Sequence, residues 1–367
     1  MRVRAPPSAL YISTPRRVSV PQAKVGIINV TGYAGAELAR LLQSHPGVQL
    51  ASVTGRSAAG QKLGSILPHI ADSALIIERE LAGDNLDLIF SALPHKASAE
   101  AVLPFLKPGN KVIDISADFS LKGPKQYLRW YDFPHPAPEL LGEAVYGLPE
   151  LNRSAITTAR LVANPGCYPT GAILALAPAV REGIIQPDIV IDAKSGVSGA
   201  GRTLGFNTHY PEANENVSAY ALDGHRHLPE IVQELEALGS GLSLSVTFVP
   251  HMVPMTRGIL TSCYARLIGG KIAEGRKGKE EVRQLYQSFY QGEPFIRVVD
   301  SPPQTKHARG SNLCLIHPTI DVRTGRFIVI SCIDNLVKGA AGNAIQNMNL
   351  ILGFSETAGL EQPAIYP

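Results

Sequence analysis

The feature that most constrains this chain stands near its start. A β-branched apolar run, Lys24–Val30, enters the glycine-rich turn Thr31-Gly32-Tyr33-Ala34-Gly35, and a helical run follows over Ala36–Ser44. Pro46-Gly47 ends that helix, and Val48–Thr54 reads as the next strand. Leu86–Ser91 and Lys111–Ser116 are further short apolar runs, with a helical segment over Lys96–Leu106 closed by Pro108-Gly109. Strands alternating with helices predict a parallel sheet built from βαβ units.

The pattern changes near residue 165. A helix is expected over Thr170–Glu182, and then come longer strands: Ile189–Lys194, Ser243–Val249, Gly258–Ile268, Phe295–Val299, Leu313–Val322 and Phe327–Ile333. That order suits a large antiparallel or mixed sheet with helices on one face. Gly269–Glu280, rich in Gly and Lys, reads as an exposed connection, and Gly339–Ile351 is helical again. A chain of 367 residues is too long for one ordinary core, so two domains are expected.

The composition is that of a globular chain, 45% apolar and 18% charged. A net charge of +3 with no Lys/Arg run argues against a large nucleic-acid surface, and no apolar stretch is long enough for a spanning helix. The first two dozen residues are basic (Arg2, Arg4, Arg16, Arg17, Lys24) and no acid precedes Glu37. They fit either the remains of an organelle transit peptide or a disordered tail. The first gives a plastid as the expected location, with mitochondrion or cytoplasm as alternatives.

Glycine at a strand-to-helix turn lets backbone approach a pyrophosphate, and the helix N-terminus offers free N–H groups. Gly32 and Gly35 supply that pattern. An NAD site commonly places an acid at the end of the second strand. Here Thr54-Gly55-Arg56-Ser57 offers none, and Arg56 with Ser57 suits a 2′-phosphate, which favours NADP. The loop Ser91-Ala92-Leu93-Pro94-His95 is expected to face the same crevice.

Four cysteines are present. Cys263, Cys314 and Cys332 lie in strand-like runs and read as core residues. Cys167 lies instead in the stiff loop Asn164-Pro165-Gly166-Cys167-Tyr168-Pro169-Thr170, just before an apolar helix whose N-terminus favours a thiolate. A nucleophilic thiol needs a base. Gly224-His225-Arg226-His227-Leu228-Pro229-Glu230 offers two, His225 and His227, with His225 preferred. The His-x-His spacing alone does not complete a metal site, and none is expected. Ser198 and Arg202, in Ser195-Gly196-Val197-Ser198-Gly199-Ala200-Gly201-Arg202, suit the oxyanions of an acyl phosphate. Arg257 is read equally as a substrate ligand or as an ion-pair residue.

Taken together, the glycine turn through Leu38, the Cys167 loop, the Ser195–Arg202 loop, the His225–Glu230 run and Asp334-Asn335-Leu336-Val337-Lys338-Gly339-Ala340-Ala341-Gly342 resemble the N-acetyl-gamma-glutamyl-phosphate reductases of arginine biosynthesis, plant-like, over roughly residues 24–360. The resemblance implies a Rossmann domain (24–165 plus 335–367, after a leader at 1–23) and an α+β domain (166–334) like those of glyceraldehyde-3-phosphate and aspartate-semialdehyde dehydrogenases. It implies NADPH-dependent reduction of an acyl phosphate through a Cys167 thioester, with release of phosphate, in a homodimer or homotetramer. The cofactor residues so implied are Gly32, Tyr33, Ala34, Gly35, Arg56, Ser57, Ser91, Pro94, Ser195, Gly196, Asn335 and Lys338. The substrate residues are Asn164, Ser198, Arg202 and Arg257. Asn29 stands where the family's first turn usually carries Gly, although Asn tolerates a left-handed backbone. The alternatives are a sister reductase acting on an aspartyl or aminoadipyl phosphate, a non-catalytic dinucleotide sensor, and a Cys-His hydrolase.

Overall fold

The computed structural model describes residues 22–367 except 71–72, 82–84, 107–108 and 240. Nearly all of the basic leader lies outside the described residues, as does Pro108. Two seven-stranded sheets organise the chain. The first contains β1 (Ala23–Ile28), β2 (Val48–Thr54), β3 (Ile77–Glu78), β4 (Leu88–Ser91), β5 (Lys111–Asp114), β6 (Val145–Tyr146) and β7 (Leu161–Ala163). Its order is β3-β2-β1-β4-β5-β7-β6, and every pairing is parallel. The second contains β8 (Ile185–Gly196), β9 (Ser218–Ala219), β10 (Ser245–Val253), β11 (Ile259–Leu267), β12 (Ile296–Val298), β13 (Cys314–Asp321) and β14 (Arg326–Ile333). Its order is β12-β13-β14-β11-β8-β10-β9; β8–β10 and β12–β13 are parallel, and the other neighbours run antiparallel.

The helices are α1 (Tyr33–Gln43), α2 (Leu63–Ile66), α3 (Ser98–Val102), α4 (Pro124–Tyr131), α5 (Pro149–Thr157), α6 (Cys167–Arg181), α7 (Tyr210–Ala213), α8 (Leu228–Glu236), α9 (Gly275–Phe289) and α10 (Gly342–Leu352). A short π-helical turn, Val337–Ala341, leads into α10. In the parallel sheet the chain runs outward from β1 to β2 and β3, then crosses back to β4. The strand order therefore reverses between β1 and β4, and a crevice opens beyond their carboxyl ends.

Helix α6 is buried on all sides from Tyr168 to Val180, because sheet and helices enclose it. Pro178 lies inside it and can donate no backbone N–H, which frees the Leu174 carbonyl four residues earlier. The Tyr290 hydroxyl donates to that carbonyl at 2.5 Å, and Tyr286 donates to Ala175 O at 2.6 Å. The buried helix thus keeps its proline without an orphaned acceptor.

Cys263, Cys314 and Cys332 lie buried in β11, β13 and β14, as their apolar runs suggest. The connection expected over 269–280 is corrected: α9 begins at Gly275. Gly and four cations mask its period locally, but Gly278, Val282 and Tyr286 recur every four residues and form its buried face. Gly278 is required there, since a Cβ would meet Ala273 O at 1.9 Å.

Candidate active site

The crevice is a cavity of ≈ 800 Å³ walled by both sheets' loops. Gly32 caps α1 in an extended conformation with no side-chain cap, and no acid occupies the first turn. The free N–H groups of that turn therefore face an anion-sized space. Gly32, Tyr33 and Ala34 line the cavity. Gly35 serves packing, because a Cβ there would meet Asn29 O at 2.2 Å. Asn29 holds a left-handed backbone, φ 68°. Its amide donates to Ala92 O at 2.9 Å, its N–H donates to Thr54 Oγ1 at 3.1 Å, and its Oδ1 accepts from Thr31 at 3.3 Å. The residue that departs from glycine thus ties together the ends of β1, β2 and β4. This cradle of Gly32, Tyr33 and Ala34, braced by Asn29, fits a dinucleotide pyrophosphate.

Ser57, Pro94, Ser198, Arg202 and Asn335 also line the cavity. Arg202 donates to Thr31 O at 3.0 Å, bridging the second sheet's loop to the glycine turn. Arg56 stands exposed on the turn beside Ser57. Ser195 and Gly196 line a second, smaller cavity of ≈ 470 Å³.

Four more expected contacts are placed elsewhere, each for a physical reason. Ser91 is buried and shares a 2.6 Å hydrogen bond with Ser98, whose hydroxyl donates to Asp114 at 2.5 Å. Lys338 is wholly buried, with Nζ donating to Glu150 at 2.6 Å, Gln346 at 2.8 Å and Asn343 at 3.1 Å. Asn164 spends its carboxamide oxygen on Asn343 and Asn347, bracing the cysteine loop from behind. Arg257 grips Glu37 with two hydrogen bonds, 3.0 and 2.8 Å. Its ion-pair role is the one the structure shows.

Cys167 is the first residue of α6 and faces both cavities. Gly166 precedes it, and a Cβ there would meet the His227 ring at 2.8 Å. His227 therefore lies directly on the loop backbone next to the thiol. His225 stands edge-on to His227 with ring centroids 4.8 Å apart, and its Nδ1 accepts the backbone N–H of His227 at 3.1 Å. The neutral His225 ring therefore carries its proton on Nε2.

The electrostatics differ from what a helix N-terminus alone implies. Burial pushes the Cys167 thiol up to about 11, against the lowering effect of the Tyr168 and Cys167 N–H groups and of Arg226. Burial first, and Arg226 second, hold His225 down at about 4. Burial, then His225 and Arg226, lowers His227 well below the ordinary imidazole value. The resting site is thus a neutral thiol beside two neutral imidazoles.

Two members of the His-Arg-His run's neighbourhood emerge only in three dimensions. The Glu230 carboxylate accepts the Gly166 N–H at 2.9 Å and the Tyr146 hydroxyl at 2.8 Å, and burial raises it to about 7. Arg226 lines both cavities and donates to His95 Nδ1 at 3.0 Å, a contact between the two sheets' loops. Both residues were visible in the motif, but their partners lie 64 and 131 positions away.

A dinucleotide crevice over a parallel sheet that opens onto a cysteine at the N-terminus of a helix packed on a second, mixed sheet defines the semialdehyde dehydrogenase class. Residues 24–159 match the family model described as "Semialdehyde dehydrogenase, NAD binding domain", and residues 167–335 match "Semialdehyde dehydrogenase, dimerisation domain". The fold is shared with aspartate semialdehyde dehydrogenase II from Vibrio cholerae, complexed with ASA, at TM-score 0.68 and 18% identity over 91% of this chain and 99% of that one. The N-acetyl-gamma-glutamyl-phosphate reductase of Dehalococcoides mccartyi is 56% identical over 344 residues, 94% of this chain and 99% of its own. That of Pelotomaculum thermopropionicum is 48% identical over 351 residues, with the same coverage of each. The chain belongs to the N-acetyl-gamma-glutamyl-phosphate reductase family.

These relatives correct the expected location. They are bacterial, and bacteria have no plastid or mitochondrion; they point to a cytoplasmic enzyme.

Proposed function

We propose that this protein reduces N-acetyl-glutamyl 5-phosphate to N-acetyl-glutamate 5-semialdehyde and phosphate, using NADPH, in arginine biosynthesis. The observation that carries the chemistry is Cys167, shared between a dinucleotide-sized cavity and a smaller one that contains both histidines. Gly32, Tyr33, Ala34 and Asn335 would hold the cofactor, with Ser57 and the exposed Arg56 toward a 2′-phosphate. When bound, NADPH supplies a hydride.

Cys167 S–H passes its proton to an imidazole, and the sulfur bonds to the acyl carbonyl carbon. The carbon–oxygen bond to phosphate breaks and phosphate departs, taking the bonding pair. His227 is the favoured acceptor, since its ring lies against Gly166 and faces both cavities, while His225 Nδ1 is occupied by the His227 backbone N–H. After hydride addition the carbon–sulfur bond breaks, the aldehyde forms, and the imidazolium returns its proton to sulfur. Splitting the reduction in this way replaces one hard step with two easier ones. Ser198, Arg202 and Arg226, which line the larger cavity, would bind the phosphate and carboxylate oxygens.

Packing supports the domain division. Val337, Ala341, Ala344, Ile345, Met348 and Ile351 join the core of β1 and α1, so 335–367 is assigned with 24–165 to the cofactor domain and 166–334 to the catalytic one. The match of the second to a dimerisation domain supports a homodimer or homotetramer. The test is NADP-dependent oxidation of N-acetylglutamate semialdehyde in phosphate buffer. The wild type should turn over and Cys167→Ala should not. Activity only with aspartate or aminoadipate semialdehyde would reassign the substrate.

A further inference from the structure

We infer that Arg257 and Glu37 are a positioning pair that aligns the cofactor-binding helix with the nucleophile, and that neither residue binds substrate. Glu37 lies on α1, one turn after the N-terminus that faces the dinucleotide cavity, and is 3% exposed. Both of its oxygens are engaged by Arg257, and both again by Arg40 at 2.7 and 3.2 Å. Arg257 belongs to the other sheet, in the turn between β10 and β11.

From Arg257 the contacts lead directly to the reacting groups. Its own turn holds the 196–198 loop through backbone hydrogen bonds: Gly196 N to Gly258 O at 2.9 Å, Val197 N to Met255 O at 2.9 Å and Ser198 N to Thr256 O at 3.2 Å. Gly258 N donates to Asn335 Oδ1 at 2.8 Å, and Asn335 donates to Ser198 Oγ at 2.9 Å. Arg257 Nη1 also stands 3.7 Å from the buried Asp334, whose Oδ1 caps Leu336 and Val337. Asp334 O accepts the Gly339 N–H at 2.9 Å, and Gly339 packs on Cys167 so closely that a Cβ would lie 2.9 Å from the cysteine Cβ.

One ion pair therefore joins α1 to both the Ser198 loop and the turn that seats Cys167. Planar two-pronged pairing fixes orientation as well as distance, which a lysine cannot reproduce. A shift of about 1 Å between donor and acceptor costs on the order of 100-fold in rate. Loosening the pair should therefore slow hydride transfer and leave sulfur chemistry alone.

This inference rests on the reductase assignment, and the experiment separates the two. Turnover, the isotope effect with 4-deuterated NADPH, the KM values, iodoacetamide alkylation of Cys167 and thermal unfolding are measured for wild type, Arg257→Lys, Arg257→Ala and Glu37→Gln. Absence of NADP-dependent turnover in the wild type removes the reductase assignment itself. Given wild-type turnover, kcat is expected to fall about 10- to 100-fold in Glu37→Gln and Arg257→Lys, and further in Arg257→Ala. The isotope effect should rise, with alkylation rates and substrate KM within about twofold of wild type. Four results overturn the inference: wild-type kcat in Glu37→Gln; a raised substrate KM at unchanged kcat in the Arg257 variants, which makes Arg257 a ligand; alkylation slowed as much as turnover; or activity loss that merely follows the loss of folded protein.

Discussion

Glu230 reaches across 64 positions of sequence to accept the backbone N–H of Gly166 at 2.9 Å, immediately before the nucleophile Cys167. The cysteine loop is thereby anchored to the helix that follows the two histidines. Glu230→Gln keeps an oxygen for Gly166 and for Tyr146. It also removes a negative charge that raises the Cys167 thiol. The thiol should therefore titrate at lower pH in this variant, read from alkylation rates. Glu230→Ala leaves two donors without their acceptor, costs about 1–3 kcal/mol of stability, and should lower turnover far more than Gln does. Equal turnover in the two variants would show the anchor to be idle.

Asn29 makes a second prediction. At φ 68° an alanine Cβ is strained, whereas glycine is not. Asn29→Ala should lose about 1–2 kcal/mol in urea unfolding relative to Asn29→Gly. Both variants lose the side-chain link to Ala92 and Thr31, so both should bind NADPH a few-fold more weakly in a fluorescence titration. Equal stability of the two variants would mean that the left-handed backbone is not what asparagine serves.

Lys338 makes a third. Its ammonium is the only cation hydrogen-bonded to Glu150 among the described residues, and both side chains are fully buried. Lys338→Met leaves a buried carboxylate without its counter-charge and should cost about 3–5 kcal/mol. NADPH affinity of the folded variant should stay within about twofold. Weakened binding with unchanged unfolding would restore Lys338 to the cofactor site.

Legibility in the sequence followed the range of the interactions. Val48–Thr54 reads as a strand because its β-branched residues are a local preference, and the structure has that strand with the same ends. Cys167 stood out because two prolines and a glycine stiffen its loop, again a local fact. What a motif does not encode is which way a side chain points. Ser91, Asn164 and Lys338 sit in or beside functional loops but turn inward, because buried partners satisfy them at Ser98, Asn343 and Glu150. The Arg257–Glu37 pair spans 220 positions and joins two sheets, so no window of sequence contains it. The thiol's ionisation departs from what its loop implies for a related reason: the helix N-terminus is local, but the burial that outweighs it is a property of the whole fold.

The last prediction concerns that ionisation. Only the thiolate attacks iodoacetamide. With the thiol held at about 11, the thiolate fraction grows about tenfold per pH unit through the neutral range, so alkylation of the ligand-free enzyme should still be climbing at pH 10. The histidines do not change this, because His225 is neutral above about 4 and burial holds His227 well below the ordinary imidazole value. His227→Asn should therefore leave the alkylation curve close to wild type. Turnover is different, since the substrate's carbonyl must be met by sulfur as its proton leaves. Removing the acceptor should cost about 10²- to 10⁴-fold in kcat, and His225→Asn should cost less because His225 Nδ1 only holds the His227 backbone N–H. An alkylation plateau near pH 8, lost in His227→Asn, would instead mean that a resting thiolate–imidazolium pair does the work.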